Sequence, residues 1–436
     1  MNKLVTALLM LLFATNLNAQ PGYEVIGLPD ASGQRLNSLN SFYYHYAIDS
    51  ATDFSKFKNL KGIKSINLHA YLKSLPKEMA YLSDSLQEIW IDGNHHLEDL
   101  SALKTLKNLK SITVEFYDGK ELPDLSDLPN LESVTIEDYY FSNLISVSGL
   151  SGCRNLKKLK ILSGSLNKFD LDVAAMNLEE LDLEYCNSLH NIDIIAASKS
   201  LKRLSLFYVS LTRLPPDFNQ MPKLAFLDLT GLPVNNISCL NHMKALSDLR
   251  IYGCDLNEIP GEFKTNKKID TIDIQYCRSL KSASGIAGLK NLRLLRIDDV
   301  DKNFVPPPLL FTCKNLEDLQ IASWNSDISM IRDLPELKKL SLEFFQFEKL
   351  PESLFTNQNI EDLDIVGNKK VTDLRGITRF KNLKKLRLFL NTELVAIPDL
   401  PKEMPQLTEV QINNNNKLVI PEEFKRFNPK WDFKKY

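Results

Sequence analysis

No two cysteines in this 436-residue chain are spaced as CxxC, and the six present (Cys153, Cys186, Cys239, Cys254, Cys277, Cys313) do not cluster at either end. That scatter argues against a disulfide framework. The six histidines, His45, His69, His95, His96, His190 and His242, form no HExxH and no paired-ligand spacing, and His95–His96 reads as a solvated loop pair. There is no GxSxG elbow and no glycine loop of the phosphate-cradling kind. These absences point away from an enzyme and imply neither cofactor nor metal. Charge of one sign is missing too: 53 Lys and Arg stand against 55 Asp and Glu, a net charge of −2. A balance so near zero gives no electrostatic case for nucleic acid or anionic lipid.

Long apolar runs are also absent. After the N-terminus no segment reaches the roughly 18 apolar residues that a transmembrane helix needs. The N-terminus itself reads MNKLVTALLMLLFATNLNAQ, with Lys3 ahead of an apolar stretch from Leu4 to Ala14 and a small residue, Ala19, before Gln20. That is the pattern of a secretory signal peptide over residues 1–19, cleaved near Ala19. No Cys follows the apolar stretch, which argues against lipoprotein processing. The expected location is outside the cytoplasm, secreted or in the cell envelope (periplasm or cell surface).

What the sequence has is a repeat. The frame L-x-x-L-x-L begins at Ile63, Leu86, Leu109, Leu131, Leu156, Leu178, Leu201 and Leu224, and eight more times from Leu246 to Leu407. Its mean period is about 23 residues. Within each frame two apolar residues point inward at period two while their neighbours face out, as on a short strand. One frame cannot bury its leucines alone, but stacked frames share a continuous core. Three residues beyond the second strand leucine stand Asn94 and Asn368, and Cys186, Cys254 and Cys277 in other frames. Between frames, one kind of turn carries Leu-Pro or Ile-Pro, as at Leu75-Pro76 and Ile259-Pro260. The other kind opens on Asp or Ser before a short apolar run, as at Asp99, Ser238 and Asp373.

This pattern resembles the leucine-rich repeat family, and the resemblance covers nearly all the chain behind residue 62. It implies an α/β solenoid: a horseshoe with a parallel β-sheet on the concave face and short helical or 3₁₀ turns and loops on the convex face. The Pro turns resemble LPxxL repeats and the capped turns resemble internalin-type repeats. The expected organisation is a signal peptide (1–19), an N-terminal cap (20–62) holding a degenerate strand, about sixteen repeats (63–425) and a C-terminal cap (426–436). Cys at the Asn position is a common substitute in the family, so the cysteines are expected to be buried. Paired cap cysteines of the animal extracellular type are missing, which favours a bacterial origin.

The charges invert from frame to frame. The residue after each first apolar position reads Lys157, Glu179, Lys202, and later Asp270, Arg293, Glu317, Lys338, Glu361, Lys384. In-register parallel strands put such residues about 4.8 Å apart, so alternation turns repulsion into pairing. The alternation lapses at Ala225 and Ser247. Beside that lapse lie Phe207, Phe226 and Tyr252, with Tyr185, Tyr208 and Tyr276 at the strand ends. These six are the expected binding patch, on the grounds that exposed aromatics mark interfaces; aromatic cross-strand packing is the competing reading. A second group, Trp90, Phe116 and Tyr139, has Asp92, Glu115 and Glu137 beside it, suited to a basic partner or a cation. The expectation is a monomeric protein-binding module for recognition or adhesion; an envelope scaffold or a glycan binder is the alternative.

Overall fold

The computed structural model describes residues 44–434 apart from 49, 61, 139–142, 306–311, 324–327 and 429. The expected signal peptide, most of the N-terminal cap and Tyr139 lie outside the described residues.

Each frame of the repeat becomes one strand and one turn of a coil. The strands stack in chain order, each parallel to the next, into one open sheet of eighteen. Sixteen come from the repeats; β1 (Tyr44–Ile48) precedes them and β18 (Asp432–Lys434) follows. At about 4.8 Å per strand the sheet runs for about 80 Å. The alternation within a strand is plain in β7 (Glu180–Glu184), where Leu181 and Leu183 are fully buried and the charged residues are not. One contiguous core extends from Ile48 to Trp431. Trp431 is its lid, touching Phe424, Phe427 and Phe433.

Most coils carry a 3₁₀ turn on the opposite side, opened in two ways, and the last two carry short α-helices, Leu400–Glu403 and Glu422–Phe427. Pro76, Pro260 and Pro351 each stand before one, where a fixed φ and a missing N–H cost nothing. Elsewhere a side chain caps: Asp99 accepts from Ser101 N–H at 2.7 Å and Asp373 from Arg375 N–H at 2.8 Å. At Ser238 the cap is Asn236, two residues earlier than the sequence suggested.

The site three residues beyond the second strand leucine is wholly structural. Asn368, Asn391 and Asn415 donate to Leu342 O, Ile365 O and Leu388 O of the preceding coils. Asn391 also accepts from Asn368 N–H at 3.0 Å, and Asn415 from Asn391 N–H at 2.9 Å. Cys186, Cys254 and Cys277 hold the same place, each with its thiol toward a preceding-coil carbonyl. Burial pushes the thiols of Cys186 and Cys254 up to about 12, so neither is a nucleophile. Cys239 departs from the expectation: it is half-buried on a 3₁₀ turn. A second set of asparagines, just ahead of the first leucine of a frame, stitches coil to coil: Asn130, Asn155, Asn315 and Asn382 donate to the carbonyls of Lys107, Pro129, Lys290 and Gln358.

Candidate functional site

The exposed face of the sheet consists of parallel files of side chains, one per outward strand position. In the file just before the strands the charge alternation becomes contact. Lys157 pairs with Glu132, Lys202 with Glu179, Lys384 with Glu361, and Arg293 with both Asp270 and Glu317. A shallow depression of about 530 Å³ lies over this last group, lined by Asp270, Arg293 and Glu317 together with Lys268, Glu336 and two asparagines. The first strand file repeats the scheme with Lys158–Glu180 and Lys339–Asp318, and the central file with Arg387–Asp364.

The lapse at Ala225 and Ser247 holds in its own file, but the first strand file beside it is not interrupted. Phe226, at the start of β9 (Phe226–Thr230), lies in register between Arg203 and Asp248. The Arg203 guanidinium sits 3.8 Å above its ring centre and Arg250 approaches to 5.1 Å, leaving Phe226 only 8% exposed. It is thus a rung of the ladder, joined by cation–π contact where other strands use a carboxylate. The expectation that Phe207, Phe226 and Tyr252 form one patch is corrected here. Phe207 and Tyr252 occupy the last strand position and Phe226 the first, about 13 Å away along a strand.

The remaining aromatics do gather, at the end of the strands. In the register of the last strand position, Glu184 faces Phe207, Phe207 faces Thr230, Thr230 faces Tyr252, Tyr252 faces Gln275, and Gln275 faces Asp298. The next residue along is left-handed in coil after coil: Tyr185 (φ 51°), Tyr208 (51°), Gly231 (69°), Gly253 (62°), Tyr276 (55°). Tyr185 stacks on Tyr208 with ring centres 5.4 Å apart, and Phe207 meets both edge-on. Across the two glycines, Tyr252 and Tyr276 pack at 4.8 Å and are 40% and 42% exposed. Burial, then the Tyr276 and Tyr208 phenols, raise the Tyr252 hydroxyl above its ordinary pKa. The Tyr208 ring covers Gly231, where a Cβ would come within 2.5 Å of it, whereas nothing lies within 4 Å of a Cβ placed on Gly253. The result is a shallow saddle with tyrosine walls, its backbone floor covered at Gly231 and bare at Gly253.

The charges beside the saddle are of one sign. From the strand Ser65–Ala70 to the strand Glu409–Asn413 the last position carries Asp92, Glu115, Glu137, Glu184, Asp298 and Glu343 and no Lys or Arg; the cation of the file is Lys434, in register with Asn413 at the far end of the sheet. Lys160 reaches over from the central file to Glu137 at 2.7 Å and Glu184 at 3.4 Å. Arg296 lies 3.8 Å from Asp298. Burial first, then Glu137 and Asp92 on the flanking strands, push the Glu115 carboxyl up to about 7. Asp298 is raised by burial and then by Glu343.

Of the second group, Trp90 is exposed and serves Glu115 as a hydrogen-bond donor, while Phe116 is half-buried at φ 54°. Neither touches the saddle residues. Tyr117 next to it is core, its hydroxyl donating to Glu98 O and Glu121 O. Among the described residues no group of three or more His, Cys, Asp or Glu converges as metal ligands, and no helix is long and apolar enough to cross a membrane. Sequence reasoning did not reach the one-sign stretch of this file or the left-handed row. The glycines offered a signal for the second: Gly231, Gly253 and Gly367 fall in one column with Tyr185, Tyr208 and Tyr276.

Residues 211–417 match the family model for a leucine-rich repeat region. Among curated proteins, the chain is 28% identical over 240 residues to volume-regulated anion channel subunit LRRC8E of Xenopus laevis, covering 52% of this chain and 30% of that protein. It is 26% identical over 256 residues to disease resistance protein RPS4B of Arabidopsis thaliana, covering 56% and 21%. The chain thus spans less than a third of the length of these relatives. Among solved structures, a leucine-rich repeat protein of Leptospira interrogans aligns with TM-score 0.59 at 20% identity, over 89% of this chain and 100% of that one. TLR13, in a structure with ssRNA13, aligns with TM-score 0.62 at 17% identity, over 80% and 58%. The likeness of these structures is one of fold. With the repeat model over residues 211–417, the single parallel sheet and the asparagine- and cysteine-stitched coils in agreement, the chain carries a leucine-rich repeat region and folds as a leucine-rich repeat solenoid.

Proposed function

We propose that the chain is an exported protein-recognition module, acting as a monomer, whose sheet face holds a partner protein at the tyrosine saddle. One observation carries this reading. Tyr185, Tyr208, Tyr252 and Tyr276 gather with Phe207 at one end of neighbouring strands, ring against ring, and leave Tyr252 and Tyr276 exposed. The left-handed backbone at three of them belongs to the repeat, since it recurs at Phe116, Asp299, Ser323, Phe344, Leu390 and Asn414. Exposed aromatic area on a sheet is instead the mark of a surface that a partner covers. Rigid aromatics within a polar surround also form the centres of protein interfaces. The carboxylates beside the saddle oppose a polyphosphate ligand, so nucleic acid does not fit this face. Export rests on the N-terminal twenty residues and their signal-peptide pattern.

The test is photo-cross-linking in the producing cells, using the full chain with a benzophenone amino acid at Tyr252, at Tyr276, or at Lys264 on a 3₁₀ turn of the opposite side. A discrete protein adduct from the two saddle positions and none from Lys264 is expected. The same adducts from all three positions, or none from the saddle, would remove the reading.

A further inference from the structure

The saddle has a chemical preference beyond being aromatic. Elsewhere on the sheet, fixed charges neutralise one another in files of alternating sign. In the file that contains the saddle they do not, because every ionisable strand-end residue from Glu184 to Asp298 is a carboxylate or a tyrosine. The cations nearest by are already committed. Arg203 and Arg250 lie over Phe226, Lys160 is held between Glu137 and Glu184, and Arg278, beyond Tyr276, is hydrogen-bonded to Asp299 at 2.6 Å. The cation–π contacts among the described residues fall on Phe226 and Phe355, none on a saddle tyrosine.

We propose that this strip, from Glu184 across the tyrosines to Asp298, binds an extended segment of the partner protein rich in arginine and lysine. The proposal rests on the protein-binding reading above and names the chemistry of the partner. Tyrosine ring faces are electron-rich and attract guanidinium and ammonium groups, with Arg the better match because it also stacks. Glu184 shares Lys160 with Glu137, and Asp298 lies buried 3.8 Å from Arg296, so the flanking carboxylates give the strip a partly neutralised acidic end on each side, and the bare floor at Gly253 lets the segment's backbone come close. Glu184 stands on β7, and Asp298 ends β12 (Leu294–Asp298). Six strands at about 4.8 Å span about 24 Å, the reach of about seven extended residues. Charge complementarity of this kind sets which partner is accepted and how fast it arrives.

The probe is a fluorescein-labelled peptide of alternating arginine and serine, about eight residues long to match that span, with a citrulline twin that keeps the shape and loses the charge. Anisotropy titration of the full chain should show the arginine peptide binding, more weakly as salt rises, and the citrulline twin not binding. The pair Tyr252→Ala with Tyr276→Ala, and separately Glu184→Gln with Asp298→Asn, should each weaken binding by about tenfold or more at low salt. Tyr252 packs on Tyr276 and Asp298 is buried, so each pair is expected to lower the circular dichroism melt somewhat, and binding is compared at a temperature where the melts show every variant folded. Equal binding of the citrulline twin, or wild-type binding by both variant pairs, overturns the proposal. The cross-linked adduct separates the two levels of inference. A partner attached at Tyr252 through a segment with no excess of Lys or Arg defeats the cationic proposal and leaves protein binding standing, whereas the absence of any adduct defeats protein binding itself.

Discussion

Replacing Asn391 with alanine tests what holds the coils together. Asn391 is fully buried; its amide donates to Ile365 O at 2.8 Å, and its carbonyl oxygen accepts from Asn368 N–H at 3.0 Å. Alanine therefore strands one acceptor and one donor where water does not reach. At about 1–3 kcal/mol for each buried group left unmatched, the loss should be on the order of 2–5 kcal/mol. Asn368→Ala provides the internal comparison. Its amide donates to Leu342 O and Val366 O, but Val366 O keeps the Phe344 N–H at 2.7 Å and the Asn368 side-chain oxygen has no partner to lose, so the change strands one acceptor and removes an unmatched oxygen. Its cost should be clearly the smaller of the two. Asn391→Cys, imitating Cys186, Cys254 and Cys277, should fall between, because a thiol donates weakly and accepts poorly. A stack of repeats need not unfold in one step, so the readout is hydrogen exchange resolved by coil together with urea melts. Protection should fall first in the coils from Ile360 onward. Equal losses for Asn391→Ala and Asn368→Ala, or losses under about 0.5 kcal/mol for both, would refute the accounting.

Glu180→Lys sets a cation between Lys158 and Arg203, its in-register neighbours, and should lower stability by a few tenths to about 1 kcal/mol in low salt. Adding Lys158→Glu should recover about half, while reversing Arg203 as well should not help because it uncovers Phe226; no effect of the single change on urea melts in low salt would mean that the ladder contributes nothing. Glu115 keeps its proton up to about pH 7 in the folded chain, against an ordinary value of 4.5. Its contribution to stability is therefore full below about 4.5 and lost as pH rises toward 7, so Glu115→Gln should flatten the fall in melting temperature over that window. A wild-type slope retained in the variant would locate the titration elsewhere. Tyr276→Gly relieves a left-handed Cβ, which offsets the lost packing on Tyr252, so its melting temperature should stay close to wild type. Tyr252→Gly, within an ordinary strand, should lower it. On the proposal of export, the mature protein should begin at Gln20 when its N-terminus is sequenced, and an intact Met1 would count against it.

The frame of the sheet was legible because a strand exposes alternate residues and a solenoid repeats them at a fixed interval. Leu181, Leu204 and Leu227 can be placed in one buried file from spacing alone, and Glu179 can be set against Lys202. Phe226 was misread because period says which way a side chain points but not what bends over it; the long arms of Arg203 and Arg250 decide its exposure. The saddle was legible only in part. Tyr185, Tyr208, Tyr252 and Tyr276 were identified as a group, yet tyrosine gives no hint of a left-handed backbone, and its neighbouring glycines do so only when aligned by coil. The single sign of the stretch from Glu184 to Asp298 was hidden for a different reason. Charge balance summed over the chain is near zero and says nothing about how the balance is divided among files.

The regular stacking of the coils also sets a ruler against whatever lies across it. Strands recur at about 4.8 Å, while an extended chain advances about 3.4 Å per residue. The two scales drift apart and come back into step after about five intervals of one and seven of the other, as on a vernier. A segment crossing the saddle thus meets equivalent positions at the two ends, near Glu184 and Asp298, and falls out of phase between them, where Tyr208, Tyr252 and Tyr276 present faces instead of directed hydrogen bonds. Such a surface grades its ligands by composition and end spacing more than by letter-by-letter order, and tolerates exchange among residues in the middle.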